Sequence, residues 1–351
     1  MAFEVPVVDI TPYVTDGSPQ DRAAVAAALG AACREVGFIQ VVGHGIPDAT
    51  IDGLAAAMDE FFALDLDRKK TYVTPPEINR GYAPPKTESL SLSLGVESAN
   101  RMNDFFEAFN IGDAASDHPG LDLPVAAYNE NLWPDADAPG FRDGVVPYYA
   151  EAGRVARTLV RAFADALDLP AGFFEAYTSH SLDVLRMNNY ALPPGTDVTL
   201  DGDLTGMGEH TDYGIVTVLW ADQVAGLQVL GTDGGWHDVQ PADGALLVNL
   251  GDLTGRWTND RWMSTLHRVK PPVIDGTIER RRSAAFFHDG NWDAVIATLP
   301  SLIDAEHPDR YTPMTVEEHI TAKLQGSRAG VRNTTAGAEA DRVIAAQQYS
   351  R

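Results

Sequence analysis

A mainly β fold, a sandwich or barrel with flanking helices, follows from three features of the 351-residue sequence. Between Asp183 and Phe287, short apolar runs are separated by Gly, Asp and Asn turns, a texture typical of sandwiches and barrels. On either side of this stretch, apolar residues recur at helical spacing instead. Several of the strand-like runs also carry polar residues at every second position, so one face of the sheet is expected to be polar and turned inward.

Taken in order, residues 5–10 read as a short strand. Ser18-Pro19-Gln20-Asp21 is a helix start, with Ser as cap, Pro in the first turn and an acid third. The helix runs to about Val36, with Val25, Leu29, Ala32, Cys33 and Val36 on one stripe. Gly37 ends it, residues 38–42 form a strand, and His44 falls in the following turn as a structural residue. A second helix over 48–64 aligns Ile51, Leu54, Met58, Phe61 and Phe62. Residues 74–100 read as loop, 104–111 as a strand and 112–120 as a polar connection. The longest helical pattern covers 140–168, through Val145, Tyr148, Ala152, Val155, Leu159 and Phe163, and reads as a scaffold helix against a sheet. Strands are expected at 183–191, 215–221, 226–230, 236–239, 245–249, 263–270 and 281–287. A helix near 315–325, a polar segment and a short helix near 343–349 complete the chain. The helical flanks show no core of their own. Residues 1–351 therefore read as one domain, with a helix-rich portion (1–180), a catalytic core (181–300) and a C-terminal segment (301–351) suited to act as a lid.

The bulk numbers exclude several classes. A hydrophobic fraction of 44% is ordinary for a globular chain, and this length needs no disulfide or structural metal to build a core. Cys33 is the sole cysteine, which fits a reducing cytoplasm. A net charge of -24 with no basic stripe disfavours nucleic acid and anionic membrane surfaces as partners. Neither a secretory pattern nor an apolar run of spanning length is present.

The chemistry centres on Gly208-Glu-His-Thr-Asp-Tyr-Gly214. In an extended backbone His210 and Asp212 point to one face, and an imidazole beside a carboxylate makes two thirds of a facial iron site, which His267 completes. The spacing alone is weak, because His307-Pro308-Asp309 repeats it. The central Pro of that second copy suits a loop, and it reads as solvated surface. The first copy differs in its surroundings. Arg186, Asn188 and Tyr190 share one strand face, Thr265, His267 and Val269 another, and Arg281, Ser283, Ala285 and Phe287 a third. Burying such a set without a ligand is costly. Fe(II) and an anionic cosubstrate satisfy nearly all of it, with Arg281 as a planar fork for a carboxylate and Ser283 and Tyr190 as further donors. Arg281 lies in the basic run Glu279-Arg-Arg-Arg282, which taken alone suggests a solvated face.

These residues resemble the isopenicillin N synthase-like branch of the Fe(II)/2-oxoglutarate-dependent dioxygenases. The similarity runs from Val5 to about Ile296, through Cys33-Arg-Glu-Val-Gly-Phe-Ile-Gln-Val-Val-Gly-His-Gly-Ile-Pro47, Leu185-Arg-Met-Asn-Asn-Tyr190, His210-Thr-Asp-Tyr-Gly214, Gly226-Leu-Gln-Val-Leu230, Asn249-Leu-Gly-Asp-Leu253, Ser264-Thr-Leu-His-Arg-Val269 and Arg281-Arg-Ser283. The resemblance implies a distorted double-stranded β-helix (a cupin-like jelly roll). It implies His210, Asp212 and His267 as iron ligands and Arg281 and Ser283 as the 2-oxoglutarate site, with Asn188 and Tyr190 in the same pocket. The implied cofactors are Fe(II), 2-oxoglutarate and O2. The implied reaction is hydroxylation or desaturation of a small secondary-metabolism substrate, with release of succinate and CO2.

Two other readings stay open at this point. One is an oxidase like isopenicillin N synthase, which uses no 2-oxo acid. The other is a non-catalytic metal- or ligand-binding jelly roll. For the substrate, Tyr82, Arg101, Phe105, Met207 and Phe287 are the candidate contacts, together with the 326–351 tail.

Overall fold

A computed structural model describes residues 3–88, 90–94, 105–191, 206–271, 273–274, 277–329 and 333. The N-terminal portion contains β1 (Val7–Asp9), α1 (Thr11–Val14), α2 (Pro19–Glu35), β2 (Phe38–Val42), α3 (Asp48–Phe62), α4 (Leu66–Lys70), β3 (Gly81–Ala83) and β4 (Glu107–Gly112). After α5 (Phe141–Ala166) and α6 (Glu175–Thr178) come β5 (Val184–Tyr190), β6 (Met207–His210), β7 (Val216–Ala221), β8 (Leu227–Leu230), β9 (Trp236–Asp238) and β10 (Leu246–Leu250). Then follow α7 (Asp252–Trp257), β11 (His267–Val269), β12 (Val273–Ile274), β13 (Thr277–Ile278), β14 (Arg281–His288) and, further on, α8 (Val316–Ala329). Among the described residues, no helix is long and apolar enough to cross a membrane.

Two sheets make the core. The larger has eight strands in the order β1-β2-β10-β7-β14-β5-β4-β3, and the smaller has four, β6-β11-β8-β9. The expected double-stranded β-helix is thus present, with N-terminal strands widening one of its sheets. The period of two gives the large sheet two different faces. Leu185, Met187, Val218, Val248, Ala284 and Phe286 join α5 residues Val145, Tyr148, Ala152, Val155 and Leu159 in the main apolar cluster. The alternate residues Tyr190 and Leu247 turn the other way and pack with Met207, Leu227, Val229 and Val269 of the small sheet. The site lies on this inner side.

Local rules explain the helical support. Ser18 Oγ accepts the Asp21 N–H at 3.2 Å, with Pro19 in the first turn, as the sequence predicts. Gly37 closes α2 in the left-handed region, at φ +69. A Cβ there would clash with the Met263 carbonyl oxygen, so glycine serves both the cap and the close approach of the segment leading to β11.

Several boundaries differ from expectation. Residues 74–100, read as loop, contain β3, because Tyr82 is held by pairing with Phe109 of β4. The segment expected as a strand over 263–270 is regular only at His267–Val269. Short β6 and α7 carry too few residues for a periodic signal, and the sequence does not mark them. The helix expected near 343–349 lies outside the described residues. Cys33 is a buried free thiol, pushed up by burial. His44 is structural, with Nδ1 accepting the Ile46 N–H and Nε2 near the Gly244 carbonyl.

Candidate active site

Pairing between β6 and β11 places His210 directly opposite His267. Their rings lie 4.2 Å apart between centroids. His210 Nδ1 is 2.8 Å from the Gly208 carbonyl oxygen, and His267 Nδ1 is 3.0 Å from that of Thr265. A carbonyl only accepts, so each Nδ1 carries the proton and each Nε2 keeps a bare lone pair. Both Nε2 atoms face Asp212 Oδ1, His210 at 3.9 Å and His267 at 3.7 Å. The three donor atoms all fall within 4.8 Å of one another.

Asp212 arrives differently from the simple i, i+2 expectation. Strand β6 ends at His210, and Asp212 sits in the turn beyond. Its carbonyl accepts the Asp252 N–H at 2.9 Å, and its Oδ2 accepts from Thr217 Oγ1 and, at 2.6 Å, from Asn249 Nδ2. These bonds occupy one carboxylate oxygen and leave Oδ1 for the centre. Burial, then the neighbouring His267, hold the His210 imidazole well below its usual pKa, against the pull of Asp212. The neutral form suited to a metal is therefore the resting one.

The second half of the site comes from β14 and β5. Arg281 pairs with Tyr190 and Ser283 with Asn188, so all four line the cavity that also holds the three donors. The basic run splits by alternation. Arg280 and Arg282 pair with Asp59 on the outside at 2.6 and 2.9 Å, while Arg281 turns in and is only 2% exposed. Among the described residues no carboxylate pairs with Arg281. Its Nη1 reaches Ser283 Oγ at 3.4 Å, its plane lies over the Tyr190 ring, and its Nε is buried without a partner. A buried, unpaired guanidinium is costly unless an anion completes it. The donor set fits Fe(II), and the free fork fits a carboxylate.

Of the expected substrate contacts, Met207 and Phe287 line the cavity. Tyr82 and Phe105 do not. The Tyr82 hydroxyl is spent on Glu107 inside an ion pair with Lys69, and Phe105 packs behind Tyr190. Arg101 lies outside the described residues, as does nearly all of the 326–351 tail. Thr265 is not in the wall either, since its hydroxyl donates to the Val36 carbonyl at 2.7 Å. Sequence reasoning missed Thr217 and Asn249, although each lies on an alternating strand whose inward face was available. It also missed Glu88, Asp289 and the α8 residues Ile320, Leu324, Ser327 and Arg328, which close the cavity from distant segments.

Known proteins resemble this chain in sequence and fold. The family described as the 2OG-Fe(II) oxygenase superfamily matches residues 182–290, and the one described as non-haem dioxygenase in morphine synthesis N-terminal matches residues 5–136. The 2-oxoglutarate-Fe(II) type oxidoreductase hxnY of Emericella nidulans is 34% identical over 92% of this chain and 90% of its own length. Clavatol oxidase claD of Penicillium crustosum is 32% identical over 93% of this chain and 98% of its own. The crystal structure of a full-length Neurospora crassa protein in complex with alpha-KG and 5-formyluracil superposes with a TM-score of 0.77 at 26% identity, covering 91% of this chain and 95% of that one.

Proposed function

The chain belongs to the 2OG-Fe(II) oxygenase superfamily as an Fe(II)/2-oxoglutarate-dependent dioxygenase, and we propose that His210, Asp212 and His267 bind its iron while Arg281 and Ser283 bind its 2-oxoglutarate. The observation that carries this assignment is the convergence of two bare Nε2 atoms and Asp212 Oδ1 in a cavity that also holds an unpaired guanidinium. When bound, the ferrous ion supplies the activation of O2 that couples decarboxylation of 2-oxoglutarate, to succinate and CO2, with oxidation of a substrate C–H bond.

The chain's own residues do the rest. The Gly208 and Thr265 carbonyls hold both imidazoles in the ligating tautomer. Asn249 and Thr217 orient Asp212. Arg281 grips the far carboxylate of the diacid as a fork, with Ser283, Asn188 and Tyr190 beside it. Leu219, Leu227 and Val269 give that end of the cavity apolar walls, which limits access of water. Met207 and Phe287 contact the substrate and aim the C–H bond to be hydroxylated or desaturated. The Neurospora crassa protein holds 5-formyluracil, and a small organic molecule is likewise the substrate class proposed here, with neither nucleic acid nor membrane as partner.

The assignment is tested by anaerobic titration of Fe(II) and 2-oxoglutarate, followed by the visible absorption of the chelate. Wild type develops the band. Asp212→Ala does not, and Arg281→Gln requires far more 2-oxoglutarate. An undiminished band in Asp212→Ala sinks the ligand set.

A further inference from the structure

The cavity contains a second guanidinium station, and this one is filled. Arg186 of β5 and Arg328 of α8 converge on Glu88, and all three line the cavity wall. Arg186 Nη2 meets Glu88 Oε2 at 2.6 Å and Nη1 meets Oε1 at 3.4 Å, while Arg328 Nε reaches Oε1 at 3.3 Å. Further contacts of both arginines are also spent on the protein. Arg186 Nε donates to Asn188 Oδ1 at 3.1 Å, and Arg328 Nη1 donates to the Ile78 carbonyl at 2.8 Å and approaches Asn79 Oδ1 at 3.4 Å. The Glu88 side chain is 6% exposed and that of Arg328 10%. Burial raises the Glu88 pKa, but the two guanidinium groups outweigh it and hold the carboxyl below its usual range. The glutamate is therefore a resident anion.

Arg281, by contrast, has no carboxylate partner among the described residues. The two stations share one chamber and offer the same fork chemistry, but only one is open. Among the unspent groups on the Glu88 side is a buried acceptor. Asn110 is fully buried, its Nδ2 donates to Asn79 Oδ1 at 2.7 Å, and its Oδ1 has no partner among the described residues. Asn79 Oδ1 also faces Arg328, which fixes the orientation of both amides.

We infer that Glu88 is a built-in occupant of a two-arginine carboxylate site, and that it sets specificity by turning the chamber away from carboxylate-bearing substrates toward neutral ones that donate an N–H or O–H to Asn110. This inference rests on the reading of the cavity as the substrate chamber. Its physical basis is that a substrate carboxylate would have to displace a paired, ionised glutamate from a buried site. Removing Glu88 leaves two buried cations that recruit an anion from solution.

The test uses the protein loaded anaerobically with Fe(II) and saturating 2-oxoglutarate, so that Arg281 is occupied. Tm is measured for wild type, Glu88→Ala and Glu88→Ser against acetate, with acetamide and chloride at matched ionic strength as controls. Glu88→Ala is expected to lose stability and to regain it saturably in acetate alone, by about 2 °C or more. Wild type is expected to show no such response. Should Glu88→Ala fail to fold, Glu88→Ser, which also empties the slot between the two arginines, carries the same measurement. Acetate acting like chloride on the folded variant, or acting equally on wild type, overturns the inference. Wild type whose Tm ignores 2-oxoglutarate would instead overturn the cosubstrate site and leave the Glu88 result readable.

Discussion

Buried aspartate–histidine clusters in this fold have opposite fates. At the candidate centre, His210 and His267 tie their Nδ1 atoms to backbone carbonyls, and Asp212 gives one oxygen to Asn249 and Thr217. Two imidazole nitrogens and one carboxylate oxygen are left facing one point. Around Asp183, the same residue types bond to each other, and the imidazole nitrogen left over, His288 Nε2, joins no second metal-ligand group among the described residues. Asp183 Oδ1 takes both His288 Nδ1 at 2.8 Å and the Ser181 hydroxyl at 2.6 Å, and the Ser181 hydroxyl in turn accepts the Gly290 N–H. Asp252 behaves likewise, neutralised by Lys323 at 2.6 Å and approached by His319 at 3.7 Å. Reactivity thus follows from whether the free donor atoms converge on one point, not from which residues are buried together. The difference also assigns costs. Breaking the first cluster should remove chemistry, and breaking the others should remove stability.

The sharpest contrast comes from paired substitutions. Asp212→Ala is expected to bring succinate formation to background with the fold retained. Asp183→Asn is expected to keep Fe(II) binding while lowering Tm. If both lose iron equally, the distinction fails. Next in size, Lys323→Met leaves Asp252 as an unpaired buried charge, and about 3–5 kcal/mol of stability should disappear in chemical denaturation. A loss under about 1 kcal/mol would mean that the pair is solvated. Asn249→Ala removes one of the two donors to the second oxygen of Asp212, and metal affinity is expected to fall about 10–100-fold, read by Fe(II) or Co(II) titration.

Acid sharpens the comparison further. Burial and His267 keep His210 neutral in the folded protein below the usual histidine pKa of 6.5. The unfolded chain binds that proton and the folded one does not, so stability of the metal-free protein should fall as pH drops through 6.5. The slope should shrink in His210→Gln, and a profile identical in both proteins would remove His210 as its cause. The smallest effect belongs to His307, exposed beside Asp304. His307→Ala is expected to change stability by less than about 0.5 kcal/mol and metal affinity not at all.

Much of this was legible in the chain. Alternation along 183–191 and 281–287 put Asn188 and Tyr190 on one strand face and Arg281 and Ser283 on another, and the register of the two neighbouring strands sets these faces side by side. The rejection of His307-Pro-Asp309 was also sound, since both residues are surface groups, with Asp309 bonded to Thr298. Less legible were contacts made across long sequence separations. Glu88 meets Arg186 and Arg328 only because α8 folds back over the chamber, and no local period encodes such a meeting. Tyr82 and Phe105 misled for the same reason, because their aromatic character marks burial, while their partners decide whether they face the cavity.

What the sequence determined by itself is which side chains alternate inward and which residue types can hold iron and a diacid. Both depend on short local periods and on the chemistry of single groups. Only the tertiary structure decided which of those groups keep a free lone pair or an open fork. That outcome is a competition for hydrogen bonds among segments far apart in the chain, settled where the sheets and α8 close.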